Sequence, residues 1–181
     1  TASLDSFKSL EQAITIRYPR GEGVMPAWRT TFEKIEIGTG SELIKGENVA
    51  LLSIGHIGNE AQKAVELVQQ KGLNPALFDM RFVKPLDERL LHEIFKNFKT
   101  IITVEDAAIQ GGFGSAIAEF MVDHQYQCKI IRLGIADAIV EHGEQHELYE
   151  LCGIDSISIL SKILEEYPAK SKVISAHTAV D

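Results

Sequence analysis

Asn48-Val49-Ala50-Leu51-Leu52-Ser53-Ile54-Gly55 is the stretch whose reading decides the fold. An apolar run of this length, closed by a glycine, is the pattern of a strand buried on both faces. The chain downstream keeps one rhythm. Asn59 to Lys71 sets Ala61, Ala64, Val65 and Val68 at helical spacing, and Gly72 stands where a C-cap belongs. Ala76 to Met80 reads as the second strand, Leu86 to Phe95 as the second helix, and Thr100 to Val104 as the third strand. Phe113 to His124 reads as the third helix and Lys129 to Gly134 as the fourth strand, with helices over Glu144–Cys152 and Asp155–Glu166 closing the domain. Alternation of this kind predicts a doubly wound α/β fold, a mainly parallel, mixed sheet with helices on both faces.

Upstream the rhythm is lost. Phe32-Glu33-Lys34-Ile35-Glu36-Ile37 alternates as a half-buried strand would, and Gly38, Gly40 and Gly46 punctuate the residues after it. Gly21 to Arg29 has the composition of a linker, and residues 1–11 show weak periodicity and no capped helix. Ala13-Ile14-Thr15-Ile16 reads as a strand running into Arg17, with no earlier element to pair with. It is expected to be the last strand of a preceding domain. The start at Thr1, without methionine, is read with it as excision from something longer. The expected organisation is residues 1–33 as that remnant plus linker, 34–166 as the main domain, and 167–181 as a frayed tail.

Composition narrows the function. Eighteen Lys+Arg against 26 Asp+Glu give a net charge of −8, and no basic stripe exists to release phosphate counterions, so nucleic acid is not an expected partner. No apolar run approaches the roughly 20 residues that span a bilayer, and no secretory signal is visible. The expected location is the cytoplasm. Cys128 and Cys152 have no nearby cysteine and no metal-ligand spacing. They read as two small buried hydrophobes in a reducing compartment, in preference to a disulfide or metal site.

Two arginine motifs stand out against that acidic background: Arg17-Tyr18-Pro19-Arg20-Gly21 and Asp79-Met80-Arg81-Phe82-Val83-Lys84-Pro85-Leu86-Asp87. Each sets an arginine at the end of a short β-branched or aromatic run, with a proline following. Ligand-facing residues collect at strand ends in parallel sheets, and a guanidinium fork suits a phosphate or carboxylate. Arg17 and Arg81 admit an ion pair with carboxylates such as Asp79 or Asp87 and equally an anion site; their shared arrangement favours a common ligand edge.

Other motifs carry less. Gly111-Gly112-Phe113-Gly114-Ser115 lacks the Gly-Lys-Ser/Thr ending of a phosphate loop and does not fit G-x-G-x-x-G. Its glycines are read as allowing close packing, within the domain or across a subunit interface. Glu105 and Asp106 are adjacent, point to opposite sides of an extended segment and cannot form a general acid/base pair. His142 and His146 have i, i+4 spacing but no evident third ligand, so a loop and helix-start pair is expected, with His142 a possible cleft residue. His56, beside Gly55 at the end of the first strand, is the other possible cleft residue. His92, His124 and His177 read as surface residues.

The two arginine motifs, followed by Glu105-Asp106 and Gly111-Gly112-Phe113-Gly114-Ser115-Ala116, occur in an order that resembles the 1-deoxy-D-xylulose-5-phosphate synthase family of the transketolase superfamily. The similarity runs from about Ala13 to about Glu166. It implies the third of three α/β domains of a homodimeric, thiamine-diphosphate- and Mg2+-dependent transferase, with its own N-terminal domains as partners. It further implies that the enzyme joins pyruvate, with decarboxylation, to glyceraldehyde 3-phosphate for isoprenoid and thiamine synthesis. Arg17 and Arg81 take the positions that hold the acceptor phosphate. The family's Gly-Asp-Gly…Asn motif for magnesium and diphosphate, its activating glutamate and its histidines around the thiazolium are absent from this chain. No catalytic, cofactor or metal residue is therefore expected here, and the chain alone should be inactive. Rival readings are another superfamily member, such as a transketolase or a pyruvate dehydrogenase beta subunit, and a stand-alone binding or dimerisation module of the same fold.

Overall fold

Alternate side chains of one short strand feed two separate cores. Residues 13–19 and 34–167 are described by a computed structural model. Within it, β1 (Ser41–Ile44) is followed by β2 (Val49–Ser53), a single 3-10 turn at Gly55–Ile57, and α1 (Gly58–Gln69). Then come β3 (Ala76–Asp79), α2 (Glu88–Asn97), β4 (Thr100–Ala108) and α3 (Phe113–Asp123). The order ends with β5 (Lys129–Ile135), α4 (Gln145–Cys152) and α5 (Ser156–Glu166). Every residue of β2 is buried. Val49 and Leu51 pack with Val65 and Val68 of α1 and with Ile159 and Ile163 of α5. Ala50 and Leu52 turn to the opposite face, toward Ile94 and Phe95 of α2 and Ile117 of α3. The period of two along a strand thus requires apolar residues at every position when helices cover both faces.

The sheet order is β1-β3-β2-β4-β5. β3, β2, β4 and β5 are parallel, and β1 closes one edge antiparallel to β3. The fold is the expected mixed, mainly parallel sheet between helical layers. After β2 the chain moves outward to β3, then returns across β2 to β4 and β5. The strand order therefore reverses at β2. In open α/β sheets the crevice beyond the carboxyl ends of the strands at such a switch point is the usual ligand position.

Element ends follow local chemistry. Gly72, at φ 74, closes α1: the Leu73 N–H donates to the Val68 carbonyl at 3.4 Å and the Gly72 N–H to the Gln69 carbonyl at 2.9 Å. Asp87 caps α2, its Oδ1 accepting from the Leu90 N–H and its Oδ2 from the Gly40 N–H, both at 2.9 Å. That carboxylate also ties the segment before β1 to the start of α2. Asp155 caps α5 through the N–H groups of Ile157 and Ser158.

Three expectations need correction. Lys34 to Ile37 forms no strand; a turn stands there, Gly38 takes φ 74, and the first strand is instead Ser41–Ile44, while Phe32 and Glu33 lie outside the described residues. As an edge strand, β1 is held by β3 rather than by its own pattern. Ala13 to Ile16 is exposed and pairs with no described strand, and a strand needs a neighbour to complete its ladder. β4 runs to Ala108 rather than Val104, because pairing with β5 resumes at Ala108↔Ile135 after an irregularity. The linker over Gly21–Arg29, residues 1–11 and all of the tail but Tyr167 lie outside the described residues.

Replacing Asp87 with Ala removes the cap of α2 and the tie to Gly40 together. The expected loss is about 1–2 kcal/mol, read as a lower urea midpoint at unchanged m-value.

Candidate functional site

Two neighbouring carboxylates at the end of β4 have opposite duties. Glu105 is 1% exposed and points toward α3. Its Oε2 accepts from the Phe113 N–H at 2.7 Å and its Oε1 from the Gly114 N–H at 2.8 Å. The first turn of α3, with its unpaired donors and positive dipole end, is therefore already occupied by an anion from within the chain. A methyl group at Gly112 would lie 2.2 Å from Glu105 Oε2 and 2.3 Å from the Ala108 carbonyl; one at Gly114 would lie 2.5 Å from Thr103 Oγ1. The glycines serve close approach inside the domain, as the structural reading of the motif requires. Arg132 of β5 braces the same loop, donating to the Ile109 carbonyl at 2.9 Å and to Ser115 Oγ at 2.8 Å.

Asp106 projects to the other side, as alternation along the strand demands. Its Oδ2 lies 3.1 Å from Nε2 of His56, which the 3-10 turn after β2 supplies. The Tyr149 hydroxyl, from α4, donates to the same Oδ2 at 3.3 Å, touches His56 Nε2, and accepts from Gln145 Nε2 at 2.9 Å. Burial first, and then the charge of Asp106, push the Tyr149 phenol well above its ordinary pKa, so it remains a donor at neutral pH. The main-chain carbonyl of Asp106 accepts from the Arg17 guanidinium, the one hydrogen-bond partner of Arg17 among the described residues. His56 and Asp106 stand at the carboxyl ends of β2 and β4, where the strand order reverses.

Arg81 lies just past the end of β3. It takes φ 55, its N–H donates to Asp79 Oδ1 at 3.1 Å, and its Nε stands 3.8 Å from Asp79 Oδ2. A non-glycine residue in the left-handed region is uncommon and is stabilised here by the Asp79 side chain. The ion-pair alternative for Arg81 is thus present. β2 separates the strand that leads to Arg81 from the one that holds Arg17, which sets the two strand ends about 10 Å apart. Both arginines share one sheet edge, and no direct contact joins them.

The other candidates scatter. His142 and His146 are exposed, and no cluster of three or more His, Cys, Asp or Glu able to hold a metal ion exists among the described residues. His92 is not a surface residue: its Nδ1 is 2.7 Å from the Tyr126 hydroxyl and its ring lies 5.0 Å from that of Phe120. His124 is exposed, with its ring 4.1 Å from that of Phe120; His177 lies outside the described residues. Cys128 and Cys152 are half-buried and unpaired. No helix among the described residues is long and apolar enough to cross a membrane. Tyr149 and Gln145 carry no sequence signal of a site, since a half-buried tyrosine on a helix looks like core and nothing local joins α4 to β4.

The family model for the transketolase C-terminal domain matches residues 38–159. The 1-deoxy-D-xylulose-5-phosphate synthase of Cytophaga hutchinsonii is 60% identical over 145 residues, covering 80% of this chain and 23% of the relative. Those of Porphyromonas gingivalis and Parabacteroides distasonis are 50% and 47% identical, covering 87% and 88% of this chain and 25% of each relative. The chain therefore spans about a quarter of the length of these relatives. Among solved structures, a split-gene transketolase in an inactive beta4 tetramer aligns with TM-score 0.67 at 25% identity, over 74% of this chain and 43% of that one. A transketolase mutant from Pichia stipitis aligns with TM-score 0.52 at 13% identity, over 71% of this chain and 18% of that one, a likeness of fold alone.

Replacing Glu105 with Ala leaves two buried donors of α3 without their carboxylate. Loss of about 3 kcal/mol is expected in urea unfolding of this chain, with Glu105→Gln losing less because its amide oxygen still accepts one bond.

Proposed function

The chain belongs to the transketolase C-terminal domain family, and from that membership we propose that it works as the C-terminal domain of a 1-deoxy-D-xylulose-5-phosphate synthase. The observation that carries this reading is the relation to such synthases at up to 60% identity over 80% of this chain. The parent enzyme would condense pyruvate, with loss of carbon dioxide, and glyceraldehyde 3-phosphate to 1-deoxy-D-xylulose 5-phosphate in the cytoplasm.

In this reading the domain supplies acceptor binding rather than bond-making. Arg17 and Arg81, at the ends of a preceding segment and of β3, offer two forked cations to a phosphate dianion across the carboxyl edge of the sheet. An oxygen acceptor beside each sets its direction, the Asp79 carboxylate for the Arg81 guanidinium and the Asp106 carbonyl for that of Arg17. A phosphate that binds remotely from the reacting carbons orients the acceptor and holds it for attack. His56 stands at the same edge; His142 remains a cleft residue only by its loop position.

Thiamine diphosphate and Mg2+ belong to the parent enzyme in this proposal. The residues described here do not fit them. No carboxylate, imidazole or thiol cluster is available for the ion among the described residues, and the N-terminus of α3, where a diphosphate would be received, is filled by Glu105. The cofactor is accordingly assigned to the N-terminal domains, and the isolated chain is expected to be inactive. Homodimer contacts and contacts with those domains are part of the same proposal. The exposed Ile139 and Leu151, which line a groove of about 380 Å³ with Val140 and Cys152, support it.

Replacing Arg81 with Ala in the complete enzyme should raise KM for glyceraldehyde 3-phosphate roughly 10-fold to 100-fold, with little change for pyruvate. Equal effects on both substrates would remove Arg81 from the phosphate site. A second outcome is expected of the 181-residue chain by itself: no carbon dioxide release from pyruvate with thiamine diphosphate and Mg2+ added, measured against the complete enzyme.

A further inference from the structure

Arg17 reaches the sheet from a segment with no strand partner, and among the described residues its guanidinium has one hydrogen-bond acceptor, the Asp106 carbonyl. Whatever fixes that carbonyl therefore fixes the arginine. We propose that Asp106, His56 and Tyr149 form a positioning unit for Arg17, which sets its guanidinium for the acceptor phosphate; the inference rests on the synthase reading.

The geometry supports a unit rather than three separate contacts. Asp106 lies beyond the last regular pairing of β4 with β5 at Val104↔Leu133, where the ladder is irregular until Ala108↔Ile135. Backbone at such a point is free to shift, and side-chain bonds must set its course. The Asp106 carboxylate supplies them. His56 approaches Oδ2 from the turn after β2, and Tyr149 approaches the same oxygen from α4. Gln145, one turn earlier on α4, donates to the Tyr149 oxygen and so directs its proton to Asp106. Two elements distant in sequence, the turn after β2 and α4, thus converge on one carboxylate of β4, whose own peptide carbonyl holds Arg17.

Arg17 meets the Asp106 carbonyl rather than its carboxylate. His56 and Tyr149 both approach the Asp106 carboxylate at Oδ2, while the Arg17 guanidinium meets the main-chain carbonyl of the same residue. A neutral carbonyl uses one of five guanidinium N–H donors and leaves the others for a bidentate hold on a dianion. Arg81 lacks this arrangement, since its guanidinium faces the Asp79 carboxylate directly.

The test uses the complete synthase carrying this chain, with Tyr149→Phe and Asp106→Asn compared against Arg17→Ala. Each is assayed with glyceraldehyde 3-phosphate and with unphosphorylated glyceraldehyde. Tyr149→Phe keeps the ring and removes the one donor, so folding is preserved; circular dichroism and the pyruvate KM serve as controls. The expected result is a three- to ten-fold rise in KM for the phosphorylated acceptor in both variants, unchanged kcat, and no change with glyceraldehyde. Arg17→Ala should show the same selectivity and mask the Tyr149→Phe effect in the double variant. Additive effects in that double variant, equal effects on both acceptors, or no effect of Tyr149→Phe beside a selective effect of Arg17→Ala would overturn the positioning role while leaving the synthase reading in place. Absence of synthase activity in the unaltered complete protein would overturn the reading beneath it.

Discussion

The Glu105 carboxylate, closed over the N–H groups of Phe113 and Gly114, is the constraint on which the functional edge of this domain depends. It seats α3 against the end of β4, and only glycine at positions 112 and 114 lets the two approach so closely. A buried anion needs strong compensation, and hydrogen bonds from a helix N-terminus provide it without a cation. The site at which a helix end would ordinarily attract a phosphate is thereby closed. And because side chains alternate along an extended strand, fixing Glu105 toward α3 sends Asp106 to the opposite side, toward His56 and Tyr149. The apparent redundancy of two adjacent acids is a division of labour imposed by the strand.

In the proposed function, anion recognition then falls to arginines brought by flanking segments. Their placement depends on the reversal of strand order at β2, which opens the crevice and puts the ends of β3, β2 and β4 side by side. In a chain of net charge −8, long-range attraction of a phosphate is weak, so binding must come from geometry at close range. Asp79 and the Asp106 carbonyl supply that geometry by directing each guanidinium.

The interior of the fold was legible where a local pattern answered to a local cause. Val49 to Ser53, apolar on both faces, marked a central strand, and Gly72 closed α1 because the left-handed cap it provides leaves a sequence signature. The edge was not. Ser41–Ile44 carries two apolar residues in four and is a strand only because β3 offers it a free ladder, whereas Phe32–Ile37 alternates more clearly yet has a turn at its end. For the candidate site, the strand-end rule placed Arg81 and His56 just past β3 and β2, whereas Arg17 comes to the same edge through the Asp106 carbonyl and not from a strand of its own; the opposed directions of Glu105 and Asp106 followed from alternation. Tyr149 and, through it, Gln145 were out of reach, since the meeting of Tyr149 with Asp106 joins positions 43 residues apart through tertiary packing alone. His92 was misjudged for the same reason: its partner Tyr126 comes from beyond α3.

The most direct measurement of this account is the position of the phosphorus atom in a crystal structure of the complete enzyme with glyceraldehyde 3-phosphate. Phosphate oxygens are expected within hydrogen-bond reach of both the Arg17 and the Arg81 guanidinium groups, with Glu105 still bonded to the N–H groups of Phe113 and Gly114. A phosphate seated on the first turn of α3 with Glu105 displaced, or one that touches neither arginine, would contradict it.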